Sequence, residues 1–391
     1  MIFILFWAGI RSIFQIVGSV GKIIIGQFSQ IKKEQLRIGL VVMSDKITNT
    51  KVSESIFETI GDTPLAKLNN IPESEGVDAS ILGKLEMFNP TGSLKDRIFY
   101  EMITRAIDEG ELEPGMEIIE ASTGNAGIAC SFVGSYLGYD VTIVMPEGMS
   151  KERVKVMEAY GANVVFTPGG ESDVDLSLEK VEEIVQEDPD RYWHASQYDN
   201  PANIDAHYKT TGAEIWEQTS GKVDAFLATQ GTGGTLTGVG RYLKEKKPSV
   251  ELYAGEPEEA PMLARRKWGS HRIEGIGDGF VPRNLDLSQL TGVFLTSSDE
   301  AIEMARRLAG EEGIFCGISS GSNVAGAIKL AKKRPKLDVI VTMINDTGQR
   351  YYSTPLCGVE KELEVPEREH PMDEYTAEQL DKYQGDWEII E

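Results

Sequence analysis

From Ile56 onward, short apolar runs alternate with helix-period segments, and this alternation restricts the chain to folds in which parallel sheets are covered by helices on both faces. The runs that read as strands are Ile81 to Lys84, Glu117 to Glu120, Asp140 to Met145, Asn163 to Thr167, Ala225 to Thr229, Glu251 to Gly255 and Asp338 to Ile344. Between them the amphipathic stretches Leu94 to Glu109, Lys151 to Tyr160, Leu176 to Gln186, Ala202 to Thr219, Thr235 to Glu245, Ser298 to Glu312 and Asn323 to Lys333 read as helices. The expectation is an α/β protein, with its chemistry at the strand-to-helix junctions, because open α/β sheets bind ligands beyond the carboxyl ends of their strands.

A chain of 391 residues has room for two domains. The turns Asp188-Pro189-Asp190 and Asn200-Pro201-Ala202-Asn203 place a domain crossing around residues 190 to 200, and the acidic stretch from Val365 to Glu391 reads as a surface appendage. Residues 1 to 28 hold two apolar runs, interrupted by Arg11 and Lys22, each short of the roughly 20 residues of a comfortable membrane span. An anchor, a targeting segment and an upstream extension are the open readings. The last is the expectation, because soluble acidic composition begins at Met43-Ser44-Asp45-Lys46. Membrane contact is expected only if residues 1 to 28 belong to the native protein.

The 62 Asp and Glu against 39 Lys and Arg give a net charge of −23, which repels phosphate backbones and excludes nucleic acid as a partner. Simple solubility and adaptation to a salt-rich cytoplasm both explain that charge. Cys130, Cys316 and Cys357 are widely spaced and lack any paired metal-binding pattern, which fits reduced thiols of a cytoplasmic protein. His194, His207 and His271 show no ligand spacing, so no metal is expected.

Lys95 opens a helix after the turn Asn89-Pro90-Thr91-Gly92-Ser93, where the helix dipole favours anions, so its placement calls for an anionic partner or a Schiff base. Gly231-Thr232-Gly233-Gly234-Thr235 follows an apolar strand and opens a helix: glycines allow close backbone approach, and N–H groups and hydroxyls converge on a phosphate. Neither a dinucleotide nor a Walker pattern is present, which points to a phosphorylated cofactor. Gly317-Ile318-Ser319-Ser320-Gly321 matches a hydrolase nucleophile elbow in letters, but the only downstream histidine is His370 in the acidic tail.

The ordered series Ile60 to Leu65, Asn89 to Arg97, Ser122 to Gly127, Met145 to Ser150, Asn200 to Asn203, Gly231 to Thr235, Gly275 to Pro282, Ser319 to Gly321 and Asp346 to Tyr351 resembles the cysteine synthase (O-acetylserine sulfhydrylase) and cystathionine β-synthase family. These are pyridoxal 5′-phosphate enzymes of fold type II. The likeness runs from about Ile56 to Thr354.

It implies two domains of twisted, mostly parallel sheets with the cofactor in the cleft between them: a larger domain from residues 47–90 and 197–356, and a smaller mobile one from 91–196. Residues 1–46 would be an extension, and 357–391 a tail. Lys95 would anchor the cofactor covalently, Gly231, Thr232, Gly233, Gly234 and Thr235 would hold its phosphate, Asn125 would bond its ring hydroxyl, and Ser319 would face its pyridine nitrogen. Ser122, Thr123, Gly124, Asn125 and Gln197 would bind the substrate carboxylate and close the smaller domain.

The implied reaction is a ping-pong β-replacement: Lys95 removes the α-proton of an O-activated L-serine, the leaving group departs to give an α-aminoacrylate, and sulfide or a thiol adds to Cβ. Homodimerisation is implied by the resemblance as well. The family's loop usually reads Thr-Ser-Gly-Asn-Thr-Gly after a proline; here Ala126 replaces the second threonine and Thr123 the serine, which puts the choice of substrate in doubt. O-acetylserine is the expected donor. O-phosphoserine, which would use Arg265, Arg266, Lys267 or Arg272, and cystathionine β-synthase chemistry with homocysteine stay open, as do a threonine or serine dehydratase and an inactive scaffold.

Overall fold

The computed structural model describes residues 52–170, 173–359 and 370–391. The expectations for the extension 1–46 and for membrane contact through residues 1–28 lie outside the described residues. Among the described residues no helix is long and apolar enough to cross a membrane.

Residues from Ser55 onward form one compact unit with two sheets. The smaller sheet holds β3 (Glu117–Ala121), β4 (Asp140–Pro146), β5 (Asn163–Thr167) and β6 (Tyr192–His194) in the order β5-β4-β3-β6, all parallel. The larger sheet holds β1 (Leu65–Lys67), β2 (Ser80–Leu85), β7 (Ala225–Thr229), β8 (Glu251–Pro257), β9 (Gly292–Thr296), β10 (Val339–Ile344) and β11 (Glu388–Ile390). Its order is β1-β2-β10-β7-β8-β9-β11, and β1 alone runs antiparallel.

Both sheets are buried on both faces, for which the strands themselves give the reason. In β7, Ala225 and Leu227 enter one core while Phe226 and Ala228 enter the opposite one. In β3, Ile118 and Ile119 divide in the same way. A strand apolar at every position satisfies two cores at once.

The seven sequence-predicted strands are present, within one or two residues of their expected ends. The strands β1, β6, β9 and β11 were not anticipated; three of them are only three residues long. The helix Asn125–Tyr136 was also missed, because it is buried on every side from Ala126 to Gly134 and has no polar stripe to reveal a helical period. Ile318–Lys333 starts five residues before its expected Asn323 for the same reason, its Ser319, Ser320 and Ser322 being buried. The helix expected from Ala202 to Thr219 is Ala202–Ala206, a π-helical turn His207–Gly212, and Ala213–Gln218.

The C-terminal appendage reading is corrected. β11 pairs in parallel with β9 as the edge of the larger sheet, and Leu380 of the helix Glu374–Tyr383, Trp387 and Ile390 are buried in its cores. Three apolar residues at the right register outweigh an acidic composition.

The Lys95–Glu109 helix is set in place by buried charge. Arg97 Nε donates to Glu86 Oε2 at 2.7 Å and its Nη1 to Glu214 Oε1 at 2.6 Å, while Lys84 Nζ lies 2.5 Å from Glu214 Oε2. Four charged groups from β2, the segment after it, this helix and Ala213–Gln218 thus lock the first helical turn to the larger sheet. The helix ends at Gly110, whose φ of 77° closes it in the left-handed conformation.

Candidate active site

A cleft with about 860 Å³ of space open to solvent lies beyond the carboxyl ends of β3, β7 and β10. Lys95, Ser122, Thr123, Gly124, Asn125, Gln197, Gly231, Thr232, Gly233, Thr235 and Ser319 all line it. Gly234, the remaining expected site residue, sits behind the lining as the first residue of the Gly234–Lys246 helix.

The turn that presents Lys95 is clasped by the larger sheet: the Leu94 N–H donates to the Asn345 carbonyl at 3.0 Å, and the Thr347 N–H to the Gly92 carbonyl at 3.0 Å. The Thr91 N–H donates to Asp96 Oδ2 at 2.7 Å, closing the turn from within. The Lys95 amine makes no hydrogen bond or ion pair among the described residues. Burial lowers its pKa to about 8, against the charges of Asp278 and Glu120, which work to raise it.

The Ser122–Asn125 loop leaves β3 and starts the Asn125–Tyr136 helix. Ser122 Oγ accepts from the Gly124 N–H at 3.0 Å and the Gly127 N–H at 2.8 Å, so its hydroxyl caps the helix and has only its proton left to offer a ligand. Asn125 Nδ2 donates to Asp346 Oδ2 at 2.7 Å and Asn125 Oδ1 accepts from Arg350, so the amide expected to face a cofactor hydroxyl is oriented by two partners of its own. Gln197 Nε2 donates to the Ala121 carbonyl at 2.9 Å.

The Gly231–Thr235 loop has the features of a phosphate cradle. A Cβ on Gly231 would stand 2.7 Å from the Gly275 carbonyl, and one on Gly233, whose φ is 80°, would stand 2.7 Å from Leu285 Cα. The helix Gly234–Lys246 has no side-chain cap and no acidic residue in its first turn, leaving its N-terminal N–H groups for an anion. Asn203 Nδ2 donates to Thr232 Oγ1 at 2.9 Å, and Thr235 Oγ1 meets His207 Nε2 at 3.1 Å. Burial and the Arg97 charge depress His207 to about 3, so it is neutral and serves as a hydrogen-bonding buttress. The buried Thr229 hydroxyl, also in the lining, has no hydrogen-bond partner among the described residues. Ser319 Oγ accepts from Asn345 Nδ2 at 3.0 Å and keeps its own proton available.

These residues fit pyridoxal 5′-phosphate on structural grounds: a glycine cradle that a Cβ would fill, an uncapped helix N-terminus, an unpartnered hydroxyl and a lysine with a lowered pKa converge on one cleft.

Several cleft residues were not anticipated. Asp278, inside the Gly275–Pro282 segment, is raised to about 6 by burial, against the Tyr198 hydrogen bond and the Lys95 charge. Arg153 and Glu274 form an ion pair within the lining. Arg153 sits in an amphipathic helix, where an arginine reads as solvated, and only tertiary packing shows otherwise.

None of Arg265, Arg266, Lys267 and Arg272 lines the cleft; Arg265, Arg266 and Arg272 pair with Glu391, Asp381 and Asp299. The hydrolase pattern at Ser319 has no histidine partner: His370 lies 3.3 Å from Asp175 and stacks on Trp268. Among the described residues no acidic, histidine or cysteine cluster of metal-binding size occurs.

The profile of the family described as pyridoxal-phosphate dependent enzyme matches residues 56–346. Cysteine synthase A of Escherichia coli is 45% identical over 327 residues, covering 81% of this chain and 99% of the relative. A cysteine synthase of Staphylococcus aureus is 43% identical over 307 residues, covering 78% and 97%. The solved structure of O-acetyl serine sulfhydrylase isoform 3 from Entamoeba histolytica is 39% identical, with a TM-score of 0.76 over 82% of this chain and 96% of that one. The chain belongs to the cysteine synthase family of pyridoxal-phosphate dependent enzymes.

Proposed function

We propose that this protein makes L-cysteine from O-acetyl-L-serine and sulfide by β-replacement. The observation that carries the reading is the convergence on one cleft of Lys95, the Ser122–Asn125 loop and the Gly231–Thr235 cradle. Pyridoxal 5′-phosphate, when bound, supplies the electron sink that makes the substrate Cα–H acidic.

The chain's own groups do the rest. Lys95 anchors the cofactor, Gly231 to Thr235 hold its phosphate, Ser319 meets the pyridine nitrogen as a neutral hydroxyl, and Asn125 meets the ring hydroxyl. A neutral Ser319 hydroxyl in that place, instead of a carboxylate, would favour elimination at Cβ over transamination. Thr123, Gly124, Asn125 and Gln197 orient the donor carboxylate, with the Ser122 proton beside them.

Released from the cofactor, Lys95 is a base that burial makes easier to deprotonate, and it takes the Cα proton as the Cβ–O bond breaks and acetate leaves. Sulfide then bonds to Cβ, and the proton returns from Lys95 to Cα.

Incubation of the cofactor-loaded enzyme with O-acetylserine and sulfide tests this by product analysis. Cysteine is the expected product, and Lys95→Ala abolishes both its formation and the cofactor's absorbance band. Keto acid and ammonia without thiol dependence indicate a dehydratase instead, cystathionine from serine and homocysteine the other β-replacement, and unchanged absorbance in Lys95→Ala a non-catalytic scaffold.

The same reading makes the protein a cytoplasmic homodimer. It is supported by the family resemblance and by three thiols that form no disulfide. The net charge of −23 supports a salt-rich cytoplasm, for which activity rising into molar salt is the check.

A further inference from the structure

Asp278 is 3% exposed and lines the same cleft as Lys95. It stands between Gly277 and Gly279, whose φ values of 74° and 85° are ones that glycine adopts at low cost. A Cβ on Gly277 would stand 2.6 Å from His271 Nε2, and one on Gly279 2.5 Å from Trp268 Cδ1, so the loop is pressed into place on either side of the carboxyl. The Gly277 N–H donates to the Gln230 carbonyl at 3.3 Å, which ties the loop to the start of the Gly231–Thr235 segment. The Tyr198 hydroxyl donates to Asp278, and its ring packs edge-on against Phe280 with 5.2 Å between centroids.

This carboxyl lacks the partners that hold other buried carboxyls of the protein. Glu86 and Glu214 pair with Arg97, and Glu256 accepts the Leu263 and Ala264 N–H groups at the start of a helix. Glu274, the other carboxyl among the described residues of the lining, pairs with Arg153. Asp278 has no ion pair among the described residues. The charges that act on it are those of Lys95 and of Asp175, from the helix Val174–Glu187, while the imidazoles of His271 and His370 meet the carbonyls of the glycines beside it. A buried carboxyl so placed is costly, which is the mark of a group kept for chemistry.

Lys95 is committed to the Cα proton. A hydroxyl on Cβ leaves at a useful rate only if it takes up a proton, and the serine and threonine hydroxyls of the cleft are too weakly acidic to give one.

We propose that Asp278 is a second acid–base residue of the cleft, which hands its proton to the β-substituent of the amino-acid donor as that group leaves and recovers a proton from the incoming thiol. With L-serine as donor, the Cβ–O bond breaks as the Asp278 proton moves to that oxygen and water departs, while Lys95 takes the Cα proton. In the second half the S–H proton passes to the Asp278 carboxylate as the S–Cβ bond forms, and Lys95 returns its proton to Cα. Both groups end as they began. Charge times the two transfers: Lys95 becomes an ammonium on taking the Cα proton, and its charge then weakens the hold of Asp278 on its own. The assignment deepens the β-replacement reading and rests on it for the reaction type, while widening the donors to those whose β-substituent must leave protonated.

The test compares donors by what leaves. In cofactor-loaded enzyme with sulfide as acceptor, wild type is expected to turn over L-serine, whose hydroxyl needs a proton, as well as O-acetyl-L-serine and β-chloro-L-alanine, whose acetate and chloride do not. Asp278→Asn keeps an acceptor for Tyr198 and has no proton to transfer. The ratio of kcat/KM for L-serine to kcat/KM for β-chloro-L-alanine should fall about a hundredfold or more, the worth of a positioned acid, and any change in Lys95 itself cancels in that ratio.

A second readout needs no turnover. Burial holds the folded pKa of Asp278 at about 6, above the ordinary 3.8, so the stability it affects is intact below 3.8 and declines as pH rises to about 6. The thermal midpoint of cofactor-free Asp278→Asn, relative to wild type, should therefore rise between about pH 4 and pH 7.

An equal loss for both donors, a relative midpoint that falls over that range, or wild type that uses O-acetylserine but not L-serine overturns the proposal, and the last of these leaves the cysteine synthase reading intact. Asp278-dependent turnover of L-serine by a wild type that makes no cysteine from O-acetylserine keeps the proposal and overturns that reading.

Discussion

The Lys95 amine and the Asp278 carboxyl share one cleft, and each opposes part of what burial does to the other. Burial lowers Lys95 to about 8 while the Asp278 charge works to raise it, and burial raises Asp278 to about 6 while the Lys95 charge works to lower it. Covalent capture of an aldehyde needs a neutral amine. The rate at which cofactor-free protein takes up pyridoxal 5′-phosphate, followed by absorbance, should therefore rise with a midpoint near pH 8. Asp278→Asn removes a negative charge that is fully present at that pH, so the midpoint moves to lower pH; an upward move contradicts this relationship.

The Gly231–Thr235 loop depends on a backbone that only glycine adopts at low cost. Gly233 has a φ of 80° and its missing Cβ would press on the Leu285 backbone. Gly233→Ala should strain the loop by about 1–3 kcal/mol and weaken cofactor binding about tenfold or more, measured by titration of the cofactor-free protein. Unaltered affinity would remove the loop from the phosphate site.

Acid stability should carry the mark of Glu214. Burial works to raise its pKa, but hydrogen bonds and charge from Arg97 and Lys84 prevail and bring it from 4.5 down to about 2. Because the folded pKa lies below the unfolded value, this stabilisation is present above about pH 4.5 and is lost as pH falls through about 2. Glu214→Gln should lower stability at neutral pH by about 3 kcal/mol, as for a broken buried pair, seen as a lower thermal midpoint, and the gap to wild type should shrink as pH falls below 4.5.

Deleting residues 374–391 should destabilise the larger sheet. The deletion uncovers the β9 edge and removes the buried Leu380, Trp387 and Ile390, about 5 kcal/mol of apolar burial, together with the Thr376 hydroxyl that accepts the Val281 N–H at 2.8 Å. Denaturant unfolding is expected at a lower midpoint, with aggregation through the bared edge. An unchanged midpoint would return the segment to the role of an appendage.

Much of the framework was legible because strands such as Ala225–Thr229 are apolar up to their last residue and end in glycine or hydroxyl residues, a pattern that local chemistry alone produces. The Gly231–Thr235 loop and the turn before Lys95 were legible for the same reason, since glycine, proline and hydroxyl residues at fixed spacing determine what a short backbone segment can approach. The helix Asn125–Tyr136 and the strand β11 were not: one is buried all round and has no amphipathic period, and the other is three residues whose pairing depends on a strand nearly a hundred positions away.

The sequence by itself determined the layered α/β architecture, the turn that presents Lys95 and the glycine-rich Gly231–Thr235 loop, because these depend on contacts within a few residues of one another. Only the tertiary structure decided that Asp278 shares the cleft with Lys95, that Arg153 meets Glu274 across the cleft and that Asn125 is gripped by Arg350 and Asp346. Their partners lie about 120 to 220 positions away in the sequence, and charge alone does not reveal whether a residue meets water or a buried counter-ion. Burial settles that, and burial is a property of the folded chain.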